Sequence, residues 1–284
     1  MKRVALGILA GLVLTSLLLA HPKLLGAKST YRNQVAVLMY HHIADDNTSS
    51  STITTQLFRE QLAYLKQEGY QFVSMQQVED FLNGASLPDK AVLVTFDDGY
   101  DSYYRLGLPI MKEMNIPSIN FIITSHLRQK QTSGIPALRA ETIRTMLAET
   151  ELAEVGSHTD NLHKQADGKP LLIARLKQED GTKETEAKYE ERIRSDLKAS
   201  HEALQQVNSR TQNVMAYPYG VFDQNSLRLI QESGIEYGFT IAPGMVTQSS
   251  KPYQLPRINA GSPDITPEKL DKLIQNRIVL PLNK

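Results

Sequence analysis

The sequence contains no cysteine among its 284 residues. This absence excludes disulfide bonds, thiolate metal ligands, a cysteine nucleophile and a lipid anchor attached through cysteine. It is compatible with an exported protein that folds without oxidation, but it identifies no compartment. A metal site in this chain would therefore use histidine and carboxylate side chains.

An excess of basic side chains is also missing. Lysine and arginine number 31, aspartate and glutamate number 31, and the formal net charge is zero. Nucleic-acid-binding domains carry a strong basic excess, so the sequence predicts no nucleic-acid partner. No GxGxxG and no GxxxxGK[ST] stretch occurs, which removes the support for a dinucleotide site or a P-loop.

The first residues, MKR, are followed by 17 residues without a charge, VALGILAGLVLTSLLLA. A basic start before an apolar run predicts an export signal. The stretches LLA and LGA match the cleavage pattern imperfectly, and the run is short for a membrane span. Residues 1–27 are therefore interpreted either as a cleaved signal peptide or as a retained membrane anchor. Residues 28–284 form the functional domain, expected to be extracellular, at the cell surface or tethered outside the cytoplasmic membrane.

From residue 34 onward, short apolar runs typical of strands alternate with amphipathic stretches typical of helices. The clearest strands are predicted at 34–40, 90–96, 117–124, 213–217 and 254–260. The helix predicted from residue 103 contains Pro109 as a possible kink. About seven or eight such units predict an α/β fold with parallel strands, a closed or nearly closed (β/α) barrel. A doubly wound open sheet is the alternative.

A long polar stretch interrupts this alternation over residues 164–210. Its first part, about 164–190, is predicted to be an exposed insertion, and its second part a charged amphipathic helix ending near Gln206. The charge run is interpreted as a solvent-exposed face.

The pair Asp97 and Asp98 follows the predicted strand 90–96 and precedes Gly99. Asp-Asp-Gly after a strand is ordinary turn chemistry, because Asp bonds to its own backbone and Gly tolerates positive φ. Alternatively, one carboxylate binds a metal and the other transfers a proton. In (β/α) barrels the chemistry lies at the C-terminal ends of strands, where this pair stands.

Two histidines, His158 and His163, follow another predicted strand in GSHTDNLH. Neutral imidazole is the commonest metal ligand among side chains. A continuous helix would turn the two rings apart, whereas a strand end that enters a first helical turn can bring them together. His41 and His42 follow the first strand, and strand alternation predicts that only one of them faces the pocket.

The segment AYPYG, residues 216–220, predicts a tight turn after a strand. Such a turn directs backbone N–H groups into a site, and Tyr217 and Tyr219 could form the floor under a sugar ring. Arg257, in LPRI, lies near the end of a late strand. Each of these groups also has a plain structural interpretation, as a simple turn or as a capped structural residue.

Together, TFDDGY, SHTDNLH and AYPYG resemble the motifs of the NodB-type polysaccharide deacetylases, carbohydrate esterase family 4. The resemblance covers about residues 34–275 and implies a distorted barrel of seven or eight strands with metal-dependent removal of acetyl groups from N-acetylated sugars. No histidine follows His201, and MYHH stands at the front. This order resembles the permuted branch of biofilm poly-β-1,6-N-acetylglucosamine deacetylases. The usual family arginine before the turn is missing, since Met215, Ala216 and Tyr217 stand there.

The resemblance implies a role for each matching residue. The metal ligands are Asp98, His158 and His163, the general base is Asp97, the general acid is His41, the oxyanion donor is the backbone of Pro218, Tyr219 and Gly220, and Arg257 replaces the missing arginine. One divalent ion is expected, with zinc favoured and nickel, cobalt or iron acceptable to imidazole.

The expected partner is an acetylated glycan polymer, of poly-N-acetylglucosamine type, with peptidoglycan or chitin oligomers as alternatives. The membrane is a further partner if residues 1–27 are retained. A different metal hydrolase, such as a peptide amidase or phosphoesterase, and a non-catalytic glycan-binding surface protein remain as other classes.

Overall fold

A computed structural model of the chain describes residues 30–46, 49–128, 134–208 and 213–280. The interpretation of residues 1–27 as a signal peptide or anchor falls outside these ranges. Within them, no helix combines the length and the apolar character needed to cross a bilayer.

The described residues form thirteen strands, most of them short. They are β1 (Gln34–Tyr40), β2 (His42–Ile43), β3 (Thr52–Ile53), β4 (Gln71–Phe72), β5 (Ala91–Phe96), β6 (Ser118–Ile122), β7 (Ala153–Ser157), β8 (Gln165–Ala166), β9 (Lys169–Pro170), β10 (Val214–Ala216), β11 (Tyr237–Phe239), β12 (Val246–Thr247) and β13 (Ile258–Asn259).

The main sheet has nine strands, seven of them in the order β11–β10–β7–β6–β5–β1–β12. The neighbours from β11 to β1 are parallel, and β12 runs antiparallel to β1. The sheet curls strongly. The N–H of Leu255 donates to the carbonyl of Gly238 in β11, and three residues later β13 pairs with β1. The chain between residues 255 and 259 therefore bridges the two sides of the curl. The predicted fold, a distorted (β/α) barrel, is confirmed in preference to an open doubly wound sheet.

Seven α-helices surround the described sheet. They are α1 (Thr55–Gln67), α2 (Met75–Leu82), α3 (Leu108–Met114), α4 (Ala140–Glu149), α5 (Glu186–Val207), α6 (Gln224–Glu232) and α7 (Pro267–Gln275). Five of them begin after a residue whose side chain accepts a backbone N–H of the first turn, as N-cap residues do. These caps are Thr54, Ser74, Thr185, Asp223 and Thr266.

Both faces of β1 are buried, as expected for a parallel strand covered on two sides. Val35 and Val37 belong to a cluster with residues of β5, β6, β10 and β11. Leu38 and Tyr40 instead pack with α1 and the other outer helices. A strand sends alternate side chains to opposite faces, so the same seven residues supply the interior of the curl and its contact with the helices.

The structure differs from the predicted elements in two places near prolines. The helix predicted from residue 103 begins as a π-helical turn, Tyr103–Gly107, and becomes regular in α3. Pro109 has no N–H to donate to the preceding turn, and a wider turn accommodates that loss. The strand predicted at 254–260 is confined to β13, because Pro256 cannot donate to a ladder.

The polar segment predicted as an insertion over 164–190 forms the hairpin of β8 and β9 and then packs on α5. Leu172 and Ala174 are buried. Arg192 of α5 donates to the carbonyls of Leu171 and Ala174 at 2.9 and 2.7 Å. The segment is thus anchored to the domain through the helix that follows it.

Candidate active site

Four strand ends meet at one edge of the curled sheet around a cavity of about 230 Å³. Asp97 and Asp98 follow β5, His158 follows β7, His41 follows β1, and the Pro218–Gly220 turn follows β10. Parallel strands of a barrel all end at the same rim, which is why residues far apart in sequence come together here.

Asp98, His158 and His163 each direct one ligand atom toward a common point. These atoms lie within 4.8 Å of one another. The two histidine Nε2 atoms are 3.5 and 3.4 Å from Asp98 Oδ1. Ligand atoms about 2.1 Å from a tetrahedral ion lie about 3.4 Å apart, so the two distances to Asp98 match the spacing around a small divalent metal.

The Asp98 carboxylate supports the same conclusion independently of distance. Asp98 is buried, and its Oδ1 has no hydrogen-bond partner among the described residues. A buried carboxylate oxygen without a donor is costly unless a cation lies against it. Two imidazoles and one carboxylate are a donor set that zinc and other divalent transition metals accept, and three ligands leave coordination positions open.

His158 is held in the form that binds metals. Its Nδ1 lies 2.8 Å from the carbonyl oxygen of Ala216, so an Nδ1 proton there leaves the Nε2 lone pair toward Asp98. Burial lowers the pKa of His158 to about 4, although Asp97 and Asp98 act in the opposite direction. The ring is neutral at physiological pH. His163 stacks on Tyr219 with ring centroids 4.6 Å apart, which orients the second candidate ligand.

The backbone at these positions is unusual in three places. Asp98, Thr159 and Tyr219 have φ values of 71°, 68° and 58°, in the left-handed region that residues other than glycine seldom adopt. Strain of this kind persists where the surroundings hold it, and it is frequent at functional sites. Gly99 follows with φ of 68°, and a Cβ there would lie 3.1 Å from the Ile122 side chain. The glycine of the Asp-Asp-Gly turn is therefore required by both conformation and space.

Asp97 lines the same cavity as Asp98 and forms a two-pronged ion pair with Arg257. The two guanidinium nitrogens donate to Oδ1 and Oδ2, both at 2.7 Å. Arg257 is buried and also donates to the carbonyl of Thr240 at 2.9 Å and to Thr95 Oγ1 at 3.3 Å. Burial acts to raise the pKa of Asp97, but the charge and hydrogen bonds of Arg257 and the nearby histidines together outweigh burial and hold that pKa well below its usual range. Asp97 is ionised throughout the neutral range.

The two adjacent histidines face different surroundings. His41 lines the cavity, and its Nε2 lies 3.9 Å from Asp97 Oδ2. His42 Nδ1 lies 2.8 Å from the hydroxyl of Ser102, and its ring meets Tyr100 edge-on at 5.3 Å. The short strand β2 begins at His42 and pairs with β3 instead of continuing β1. His41 is thus the member of the pair that the structure brings to Asp97.

In the turn after β10 only one backbone N–H is free to act on a bound oxygen. Pro218 has no N–H, and Gly220 donates to the carbonyl of Tyr217 at 2.8 Å. The N–H of Tyr219 has no hydrogen-bond partner among the described residues. Gly220 is irreplaceable sterically, because a Cβ there would lie 2.4 Å from the side chain of Ile241.

Tyr217 and Tyr219 both line the cavity, but their rings differ in exposure. Tyr217 is fully buried, its hydroxyl donates to the carbonyl of Tyr253 at 2.9 Å, and it stacks on Phe222. Tyr219 is 36% exposed and is the aromatic side chain that a sugar would meet. The backbone explains the difference: Tyr217 is extended, whereas Tyr219 adopts the left-handed conformation inside the turn.

The expectation that His158 leads into a helical turn is wrong. Residues 158–163 form an irregular loop, in which Thr159 adopts the left-handed conformation. Asp196 of α5 fixes this loop, because its carboxylate accepts the backbone N–H groups of Asp160 and Asn161 at 2.8 and 2.7 Å. Sequence reasoning missed Asp196, since it belongs to the charged helix whose polar residues were interpreted as solvated. No local signal separates it from its exposed neighbours.

Comparison with known proteins agrees with this geometry. The sequence model of the polysaccharide deacetylase family matches residues 84–238. The poly-β-1,6-N-acetyl-D-glucosamine N-deacetylase of Staphylococcus epidermidis is 27% identical over 207 residues, which cover 73% of this chain and 67% of that protein.

Two solved structures are similar in fold. A de-N-acetylase from Aggregatibacter actinomycetemcomitans superimposes with a TM-score of 0.73 and 25% identity, covering 85% of this chain and 100% of that one. IcaB from Ammonifex degensii superimposes with a TM-score of 0.71 and 29% identity, covering 86% of this chain and 97% of that one.

Proposed function

The chain belongs to the polysaccharide deacetylase family, and we propose that it is a metal-dependent enzyme that removes N-acetyl groups from a poly-β-1,6-N-acetylglucosamine exopolysaccharide. The observation that carries the proposal is the pairing of two different aspartates at one rim. Asp98 presents an unpartnered oxygen to the imidazoles of His158 and His163, while Asp97 is ionised and fixed by Arg257. One carboxylate, Asp98, thus serves metal binding, and the other, Asp97, serves proton transfer.

Asp98, His158 and His163 would hold one divalent ion, with zinc favoured by the donor set. Such an ion, when bound, lowers the pKa of water toward about 7 and polarises a carbonyl. Hydrolysis of an unactivated acetamide at neutral pH needs both effects, because water is a weak nucleophile and the amide carbonyl a weak electrophile.

Asp97 would accept the proton of the attacking water as general base. Its ion pair with Arg257 keeps the carboxylate charged and in one orientation, so an acceptor is present at every neutral pH. The low pKa makes Asp97 a weak base, and its contribution therefore depends on position more than on basicity.

His41 would donate a proton to the nitrogen of the departing amine. It lines the same cavity as the candidate ligands, with its Nε2 3.9 Å from Asp97 Oδ2, and its side chain is 24% exposed. An amine leaves readily only when it is protonated, so the acid must lie on the leaving-group side of the reacting carbon.

The N–H of Tyr219 would donate to the carbonyl oxygen as negative charge develops on it. Its hydrogen atom is committed to no other group among the described residues, and the left-handed conformation of Tyr219 and Gly220 fixes the direction of the peptide. The Tyr219 ring, stacked on His163, offers an apolar face to the sugar.

The polymer is assigned from the relatives. The Staphylococcus proteins that match over three quarters of this chain carry the name poly-β-1,6-N-acetyl-D-glucosamine N-deacetylase. The basic and apolar start of the sequence, MKR followed by an uncharged run, supports display outside the cytoplasmic membrane. A reporter fused to residues 1–40 should be exported, and a reporter that stays in the cytoplasm would contradict this part.

The decisive experiment is acetate release from β-1,6-linked N-acetylglucosamine oligomers by the purified protein. Release should stop after treatment with a chelator and return when zinc, cobalt or nickel is added. Chitin oligomers and peptidoglycan fragments, assayed in parallel, test the substrate. Release from those two alone would refute the polymer assignment, and binding of every glycan without acetate release would refute the reaction.

A further inference from the structure

A second cavity, of about 360 Å³, adjoins the one that contains Asp97. Asp98 and His163 line both cavities, so these two candidate metal ligands form the partition between them. The reacting acetamide must lie against this partition. A polymer that places one sugar in the first cavity therefore has a neighbouring sugar positioned to enter the second.

The walls of the second cavity have the mixed character of a sugar-binding site. Tyr100, Ile123 and Ile135 supply aromatic and apolar surface, and Ser125 and Asn161 supply polar groups. Pyranose rings present both apolar faces and hydroxyl edges, so this combination suits a neutral saccharide.

The second cavity has few charged side chains in its lining. Two side chains in its lining carry formal charge at neutral pH, Asp98 and Lys164. Burial lowers the pKa of His126, which disfavours a positive charge on this ring. With the Asp98 charge committed to a metal ion, the remaining charge is the Lys164 ammonium.

Lys164 is not neutralised locally. Among the described residues it has no acidic partner within ion-pair distance. The nearby Asp160 is already engaged, because both of its oxygens lie 2.7 Å from Arg128. The Lys164 carbonyl accepts the Leu171 N–H at 2.9 Å, which ties its backbone to the hairpin of β8 and β9 next to the ligand His163.

We propose that the second cavity binds the sugar adjacent to the one being deacetylated, and that Lys164 makes this position select an N-acetylated sugar over free glucosamine. The inference rests on the proposed function. Each turnover converts a neutral acetamide into an amine that is protonated at neutral pH. A glucosamine in the second cavity would place its ammonium beside that of Lys164, and like charges repel. An N-acetylated sugar next to an existing glucosamine is then a poorer substrate. The free amines of the product are therefore separated from one another along the polymer.

The test uses three β-1,6-linked trisaccharides whose central acetyl group is labelled with ¹³C. One has acetylated flanking sugars, and the other two carry a free amine on one flank each. The metal-loaded enzyme should hydrolyse one of the amine-bearing isomers about three- to tenfold less efficiently than the acetylated compound, because Lys164 is exposed and two charges about 6 Å apart repel by that amount at an effective dielectric of about 80 to 40. The discrimination ratio is the kcat/KM of the acetylated compound divided by that of the disfavoured isomer. Lys164→Gln should reduce this ratio to less than about twofold, and Lys164→Glu should invert it.

Lys169→Gln is the matched control, because it removes the same charge from an exposed position of β9 outside both cavities. Its ratio should equal that of the unaltered protein. Calorimetry measures the same discrimination as a ratio of binding constants, without turnover. A protein that binds these compounds but releases no acetate refutes the proposed function. The ratio of binding constants still decides the role of Lys164 in that case. Discrimination that is absent, or that survives Lys164→Gln in both readouts, would overturn the proposal.

Discussion

Arg257→Lys is the substitution that most directly probes how Asp97 is held. Lysine keeps the positive charge but replaces a planar fork with a single ammonium, and it cannot donate to both carboxylate oxygens in parallel. The arginine makes two contacts of 2.7 Å with Asp97, one of 2.9 Å with the Thr240 carbonyl and one of 3.3 Å with Thr95. Lysine can retain about one of the charged contacts.

The expected cost follows from these contacts. A hydrogen bond to a charged group contributes about 1.5–3 kcal/mol, and a buried acceptor left unpaired adds to the loss. We expect the free energy of unfolding to fall by about 2–4 kcal/mol, measured by denaturant unfolding. A displacement of about 1 Å at a reacting group can lower the reaction rate about 10²-fold, so we expect kcat to fall by that factor. Metal binding should be unchanged, since the three ligands do not contact Arg257.

The matched control is Arg32→Lys. Arg32 also pairs with an aspartate, Asp89, at 3.0 Å, but the two side chains are 77% and 44% exposed. Exposed ion pairs contribute about 0–1 kcal/mol, so this variant should unfold and turn over like the unaltered protein. If Arg257→Lys retains kcat within about threefold while its metal is fully bound, Arg257 does not position the base and the reasoning fails.

Four other tests address single residues of the site and the fold. His41→Ala should lower kcat about 10²–10⁴-fold with the metal retained, whereas His42→Ala should lower it less than about tenfold, and the opposite ranking in steady-state assays would reverse their roles. Asp97→Asn should bind metal stoichiometrically and lose at least about 10²-fold in kcat, because an amide accepts no proton; a variant with most of its kcat excludes Asp97 as the base. Asp196→Ala should weaken metal binding about 10–100-fold in competition with a chelator, with Asp196→Asn weakened less, and unchanged affinity would contradict its role in fixing the ligand loop. Burial and three neighbouring carboxylates raise the pKa of Glu79 to about 7 from an ordinary 4.5, so the folded protein loses stability as pH rises through that interval. Glu79→Gln should therefore unfold like the unaltered protein at pH 4 and be more stable by about 1–2 kcal/mol at pH 8, and equal stability at both pH values would refute the shift.

Much of the molecule could be predicted from local sequence patterns. The buried runs of β1 and β5 are continuous and β-branched, and the alternation of strands with amphipathic helices implies parallel pairing with crossovers. Asp97, Asp98 and His158 follow directly from strand ends, and a barrel places such ends at one rim whatever its detailed curvature. The sequence resemblance to polysaccharide deacetylases is confirmed by the match over residues 84–238.

Other features depended on contacts between distant segments. The fork from Arg257 to Asp97 spans 160 positions, and it forms because the curl of the sheet brings the chain before β13 across the end of β5. Asp196 belongs to a helix whose amphipathic pattern assigns it no special place, yet its carboxylate fixes the loop between the two metal-ligand candidates.

The sequence by itself determined which residues are candidates for the chemistry, because residue type and position after a strand are local properties. Only the tertiary structure decided how each one is oriented. It committed the Gly220 N–H to Tyr217 and left that of Tyr219 free, and it turned Tyr217 into the core. It also paired β2 with β3, so that His42 meets Ser102 while His41 faces Asp97. Hydrogen bonds and packing between elements compete for each polar group, and the outcome of that competition depends on which groups the closed sheet brings within reach.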